Sequence, residues 1–281
     1  MPDLPELFAL EGRVAVVTGG AGLLGVEFCR TLVQAGARVV IADLEGAAAG
    51  AQASALNEAY SSGEPVAIAI KTDVTRPESV QGLVVGTLER FGRLDILINN
   101  AARDPKFDSS RSAGEEGGFA NAFEEYPLDS WREALDVNLT GVFLTSQAAV
   151  RPMLNQGGGV IVNLCSIYGL VGPDQRLYQR EGAAVQYKPA YYSVTKAGVL
   201  GLTRYLATYY AGKNIRVNAL TPGGVYDQHD DAFVRAYSSR AVLGRMAKKD
   251  ELNGALLFLV SEASSYMTGA NLVVDGGWTT W

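Results

Sequence analysis

The chain has 281 residues, 48% of them hydrophobic, with 30 acidic against 24 basic side chains and a formal net charge of −6. An acidic chain without basic clusters excludes the electrostatic footprint of a nucleic-acid or anionic-membrane binder. No apolar run approaches the roughly 20 residues a membrane-spanning helix needs, and the opening "MPDLPELFALEGR" is acidic with two prolines, unlike a secretory signal.

"RVAVVT" (Arg13–Thr18) is β-branched and predicts a first strand. Gly22 to Ala35 follows with helical periodicity, Leu23, Leu24, Phe28, Leu32 and Val33 forming one apolar stripe closed by Gly36. A second strand is expected over Ala37–Asp43, a helix over Glu45–Tyr60 and a third strand over Pro65–Asp73. A helix from Pro77 to about Phe91 and a fourth strand over Leu94–Ala102 complete the first half. Arg103 to Tyr126 is charged, glycine-bearing and aperiodic, and a loop of that length is functional or mobile.

A long helix is then expected from about Leu128 to Gln156 and a fifth strand over Gly158–Ser166. The irregular stretch Ile167–Lys188 carries Arg176, Tyr178, Arg180, Tyr187 and Lys188. A helix over Ala190–Ala211, a sixth strand with its exit over Ile215–Gly224, a lid-type segment over Val225–Ala247, a helix over Lys249–Ser261 and a seventh strand over Ala270–Gly277 finish the chain. Alternating strands and helices predict one α/β domain over residues 1–281, a Rossmann-type doubly wound seven-stranded parallel sheet with helices on both faces. Near-continuous apolar strands fit burial on both faces. Cys29 and Cys165 lie far apart in apolar runs and read as reduced core thiols in a cytoplasmic, disulfide-free protein. Neither has zinc-like spacing, so no metal is expected.

"VTGGAGLLG" (Val17–Gly25) joins a strand to a helix start, where unpaired backbone N–H groups and the helix dipole favour an anion. Asp43, at the end of the second strand, stands where a carboxylate accepts hydrogen bonds from an adenosine ribose. It also repels a 2′-phosphate, and Leu44 supplies no cation, so NAD is favoured over NADP. Asp43 also reads as a cap for the following helix.

"YSVTK" places Tyr192 and Lys196 four residues apart on one helix face, where an ammonium favours the phenolate. Tyr192 then suits general acid/base work; a surface Tyr–Lys contact is the plainer alternative. Ser166, at the end of the fifth strand, faces the ligand crevice of such a sheet, or merely caps the strand.

Together these residues resemble the classical branch of the short-chain dehydrogenase/reductase family. The resemblance is carried by "TGGAGLLG", "DV" at Asp73–Val74, "NNAA" at Asn99–Ala102, "DVNLTG" at Asp136–Gly141, "CS" at Cys165–Ser166, "YSVTK", "RVNALTPGG" at Arg216–Gly224 and "YMTGANLVVDGG" at Tyr266–Gly277, in the family's order. It implies hydride transfer between a nicotinamide cofactor and an alcohol or carbonyl. In that scheme Tyr192 is the acid/base and Lys196 lowers its pKa and holds the nicotinamide ribose. Ser166 polarises the substrate oxygen, and Asn138 holds a water linking Lys196 to solvent. The implied cofactor contacts are Gly19, Ala21, Gly22, Leu23, Leu24, Asp43, Asp73, Val74, Asn99, Ala101, Tyr192, Lys196, Pro222, Gly223 and Val225. A homotetramer or homodimer is implied as well.

Four positions depart from the family pattern. Leu23 replaces a glycine and Gly22 comes one residue early. Ala102 replaces a glycine, Asp227 replaces a threonine, and the Ser166-to-Tyr192 spacing is long. The extra stretches and the segment bearing His229, Asp230 and Asp231 predict polar walls and a polar substrate, anionic ones included, such as a sugar derivative. Solvated surface loops are the alternative, and the lone His229 is expected to face solvent. The insertions and "GGWTTW" also resemble oxidoreductases of bacterial surface-glycan and sialic-acid-like sugar pathways. A 3-oxoacyl-type or other carbonyl reductase is the alternative enzyme. A non-enzymatic dinucleotide sensor is disfavoured by the retained Asn138, Ser166, Tyr192 and Lys196.

Overall fold

Valine, isoleucine and alanine dominate the strands, and the strands assemble into one parallel sheet. A computed structural model describes residues 3–104, 122–179 and 185–281. The strands are β1 (Val14–Thr18), β2 (Arg38–Asp43), β3 (Ala67–Lys71), β4 (Ile96–Asn99), β5 (Gly159–Leu164), β6 (Ile215–Pro222) and β7 (Asn271–Val274). Their order is β3-β2-β1-β4-β5-β6-β7 and every pairing is parallel. The order reverses between β1 and β4, where Thr18 pairs with Asn99, and a crevice opens at such a switch beyond the strand C-termini.

Side-chain alternation sorts the core into two layers. Ala15 and Val17 pack with Phe28, Leu32 and Leu256 on one face; Val14 and Val16 pack with Leu83, Phe91, Met153 and Leu206 on the other. The first layer is covered by α2 (Leu23–Gln34), α3 (Gly46–Tyr60) and α9 (Asn253–Val260), following the short α1 (Leu4–Phe8). The second is covered by α4 (Pro77–Phe91), α6 (Gly141–Asn155) and α7 (Ala190–Tyr209).

Three details depart from the sequence reading. Leu23 leaves the expected apolar stripe and is 39% exposed, because as the first residue of α2 it points toward the crevice. The helix expected over Leu128–Gln156 is α5 (Leu128–Leu135), one π-helical turn (Asp136–Thr140) and then α6. The lid-type segment contains α8 (Asp231–Ser238), whose Phe233 and Tyr237 are buried. Those two rings join Tyr168, Tyr178, Tyr191, Tyr192 and Trp278 in a separate aromatic cluster. Arg180 and most of the Arg103–Tyr126 loop lie outside the described residues. Among the described residues no helix is long and apolar enough to cross a membrane.

Candidate active site

The loop between β1 and α2 turns on Gly19, whose φ of +60° lies in the left-handed region. A Cβ there would stand 2.8 Å from the Ala101 backbone, and one on Gly25 only 2.2 Å from the Gly19 carbonyl. Those two contacts set the positions of the glycines: Gly19 passes under the β4 exit, and Gly25 seats the helix on its own loop. Gly22 is the N-cap of α2 in an extended conformation. Beyond it the first-turn N–H groups of Leu23, Leu24 and Gly25 have no intrahelical acceptor. Thr18 Oγ1 accepts the Asn100 and Ala101 N–H groups, each at 3.1 Å, and the Asn100 amide donates back to the Gly19 carbonyl at 2.9 Å. Asn100 is a loop-fixing residue that the motif reading passed over; its signal was the doubled asparagine itself.

Asp43 Oδ2 accepts the Ala21 N–H at 2.9 Å and Oδ1 accepts the Glu45 N–H at 3.0 Å. It does not cap α3, whose N-cap is Glu45. Asp73 accepts both the N–H and the hydroxyl of Thr75, which hold its carboxyl below the usual range.

The cleft has a volume of about 850 Å³. Its wall includes Gly19, Ala21, Gly22, Leu23, Leu24, Asp43, Asp73, Val74, Ala101, Ser166, Tyr192, Pro222, Gly223 and Val225. Asn99 is a correction. It is buried, donating to Ser146 Oγ and Asn163 Oδ1 and accepting from Thr145, because strand alternation turns it inward; Asn100 lines the wall instead. The structural fit to a dinucleotide is the cradle itself: a tight glycine turn, free amides at a helix start and a carboxylate at the next strand end.

Ser166, Tyr192 and Lys196 converge where β5 ends. Ser166 caps a 3-10 turn (Ile167–Gly169) by accepting the Tyr168 N–H at 3.2 Å, and its hydroxyl also sits against that of Tyr192. Both readings of Ser166 therefore hold. Tyr192 and Lys196 are buried, which overturns the surface-contact alternative. Lys196 lies behind the wall, its Nζ donating to the Leu164 carbonyl at 2.8 Å and standing 5.8 Å from the Tyr192 ring centroid.

The electrostatics correct one expectation. Tyr192 titrates well above an ordinary tyrosine, first through burial and then through the Asp104 carboxylate against its hydroxyl. Burial also pulls Lys196 down. Asn138, in the π turn, donates to the Arg103 carbonyl at 3.1 Å and accepts the Arg103 N–H at 2.6 Å. Its amide thereby fixes the start of the Arg103 loop.

The walls expected to be polar are largely aromatic. Tyr168, Tyr178, Phe233 and Tyr237 line the substrate end, with the Tyr178 hydroxyl donating to that of Tyr168 at 2.9 Å. The amphipathic α8 supplies two of these rings. His229 lines the cleft as well, stacked on Phe233 at 4.9 Å and accepting the Asp227 N–H at Nδ1. Asp104, Arg103, Lys188 and Asp227 are charged groups lining this end. Asp104 lies outside every motif, so nothing in the sequence marked it. Cys29 and Cys165 are free and buried, and burial raises both thiols.

The family model described as enoyl-(acyl carrier protein) reductase matches residues 21–279. A trans-4-hydroxycyclohexanecarboxylate dehydrogenase of Sinomonas cyclohexanicum is 37% identical over 95% of this chain and 93% of its own. A galactitol 2-dehydrogenase (L-tagatose-forming) of Cereibacter sphaeroides is 33% identical over 99% and 100%. The structure of a gluconate 5-dehydrogenase from Burkholderia cenocepacia J2315, in complex with NADP and tartrate, superposes with a TM-score of 0.84 at 30% identity, covering 99% of this chain and 100% of its own. By its sheet, its cleft and these matches, the chain belongs to the short-chain dehydrogenase/reductase family, whose members are NAD(P)-dependent oxidoreductases acting on CH–OH groups.

Proposed function

We propose that the protein uses NAD to interconvert a secondary alcohol and a ketone on a polyhydroxylated substrate, a sugar or a sugar derivative. The observation that carries this reading is that Ser166 and Tyr192, with Lys196 directly behind them, line the same cleft as the glycine cradle. The nicotinamide supplies the hydride acceptor or donor. Gly19, Ala21 and Gly22 shape the turn that would hold the pyrophosphate, the first-turn amides of Leu23 and Leu24 would meet it, and Asp43 would take the ribose. Asp73, Val74 and Ala101 line the adenine side; Pro222, Gly223 and Val225 line the nicotinamide side. Ser166 donates to the substrate oxygen, and Tyr192 takes or returns the hydroxyl proton. Lys196 holds the nicotinamide ribose and its charge favours the phenolate once the Asp104 carboxylate has left the Tyr192 hydroxyl. Asn138 acts by positioning the Arg103 loop, with a bound water as its route to Lys196.

Aromatic faces pack against the C–H faces of a polyol while the tyrosine hydroxyls meet its oxygens, which supports a sugar-like substrate. Asp43 without a neighbouring cation supports NAD over NADP. Exposed Phe143 on α6 with Tyr205 and Tyr209 on α7 supports a homodimer or tetramer of one-domain subunits, and the acidic composition supports a cytoplasmic protein without nucleic-acid partners.

A turnover screen of polyols, sugar acids and amino sugars with NAD and NADP tests the reading, alongside fluorescence titration of NADH and NADPH. Reduction of NAD by at least one polyhydroxylated alcohol, with NADH bound more tightly than NADPH, is expected. Tighter NADPH binding overturns the cofactor choice, and turnover confined to apolar acyl or steroid alcohols overturns the substrate class.

A further inference from the structure

Lys188 is a buried cation that the reaction scheme above does not use. It is 7% exposed, its ammonium is ion-paired with Asp104, and Nζ stands 4.1 Å from the Tyr192 ring centroid. Gln175 fixes its main chain from both sides: the Lys188 N–H donates to Oε1 at 2.8 Å and the Gln175 amide donates to the Lys188 carbonyl at 3.1 Å. The lysine is thus built into the wall. Asp104 reaches in from the solvent side, its side chain 43% exposed, from the loop start clamped by Asn138.

A buried ammonium requires an anion beside it. Asp104 supplies one, and the same carboxylate sits against the Tyr192 hydroxyl. That hydroxyl is where the reacting alcohol must go, so substrate and Asp104 compete for one place. A neutral alcohol that displaces Asp104 breaks the Lys188–Asp104 ion pair and puts no charge in its place. An alcohol with a carboxylate near its carbinol carbon restores the pairing as it binds.

We propose that Lys188 anchors the carboxylate of a hydroxy-acid substrate, and that Asp104 is the internal carboxylate this substrate replaces. The inference rests on the dehydrogenase reading for the place of the reacting hydroxyl. It narrows the substrate to polyhydroxy acids rather than neutral polyols.

The test is calorimetric titration of the NADH-bound enzyme with D-gluconate and L-tartrate, each set against its uncharged counterpart, glucitol and threitol. The wild type is expected to bind the acids at least tenfold more tightly than the neutral partners. Lys188→Met should collapse that ratio to within about twofold, Lys188→Arg should restore much of it, and Asp104→Asn should raise acid affinity severalfold by removing the internal competitor. NADH affinity serves as the folding control for each variant. No acid preference in the wild type, or equal weakening of acids and neutral probes in Lys188→Met, overturns the anchor. A separate turnover assay on the same four compounds distinguishes the two failures. Acid preference without turnover of any alcohol sinks the dehydrogenase reading and keeps the anchor. Oxidation of acids and polyols with no preference sinks the anchor and keeps the dehydrogenase.

Discussion

The two ends of the cleft are built by different means. At the β1–α2 end, the working groups are backbone amides presented by a glycine turn, and each neighbouring contact joins close segments of one sheet, such as Thr18 to Asn100 and Asp43 to Ala21. At the β5–α7 end, side chains do the work, and they arrive from Asp104, Ser166, Tyr178, Lys188, Tyr192 and Phe233, separated by up to 129 positions in the chain. Backbone recognition is tied to strand geometry and leaves little to vary. Side-chain recognition is carried on a strand end, loop segments, 3-10 turns and two helices, and on the loops a few substitutions change what is bound.

This division predicts separable defects, and the largest should come at the side-chain end. Tyr192→Phe is expected to lower kcat about a hundred- to ten-thousand-fold, roughly 3–5 kcal/mol of transition-state stabilisation, with NADH affinity within about threefold of wild type. Stopped-flow turnover with parallel fluorescence titration reads both. A loss of NADH binding as large as the loss of turnover would break the division.

At the backbone end, Gly25→Val should cost about 1–3 kcal/mol of stability and weaken NADH binding, since its Cβ has no room beside the Gly19 carbonyl. Urea unfolding and the same titration measure it; wild-type stability and affinity in the variant would remove the steric account.

The smallest effect is a pH slope. Burial raises Tyr168 to about 12. Between the unfolded value near 10 and that figure, the unfolded chain loses a proton that the folded one keeps. Stability therefore falls as pH rises, by about 1.4 kcal/mol per pH unit for this residue. Tyr168→Phe should flatten the slope of unfolding free energy against pH by about that amount above pH 10. An unchanged slope would mean the hydroxyl is not desolvated.

Legibility in the sequence follows the same line. The seven strands were readable because burial on both faces leaves runs such as "VAVVT" with almost no polar residue. The glycine turn and Asp43 were readable because spacing along a strand–turn–helix unit is itself the geometry. The aromatic wall was hidden, because Phe233 and Tyr237 lie on an eight-residue helix whose partners are set only by tertiary packing. Asp104 was hidden for a stricter reason: a carboxylate two residues beyond "NNAA" becomes a neighbour of Tyr192 only through the Asn138 clamp. The raised titration of Tyr192 followed from that unseen neighbour and from burial, neither of which helical spacing to Lys196 reveals.

The π turn at Asp136–Thr140 closes with the Gly141 N–H donating to the Asp136 carbonyl, five residues back. One residue more per turn rotates everything after it by about 100° relative to an uninterrupted α-helix. The amphipathic stripe of α5 and that of α6 therefore run out of phase, and each is free to face its own neighbour: Trp131 and Leu135 meet the aromatic cluster, and Ala149 and Met153 meet the sheet. Deleting a single residue within the turn would bring the two stripes into phase and set one of them against the wrong surface. The turn thus works as a phase adjuster between the catalytic wall and the core, which makes chain length at this point more constrained than the identity of its solvent-facing residues.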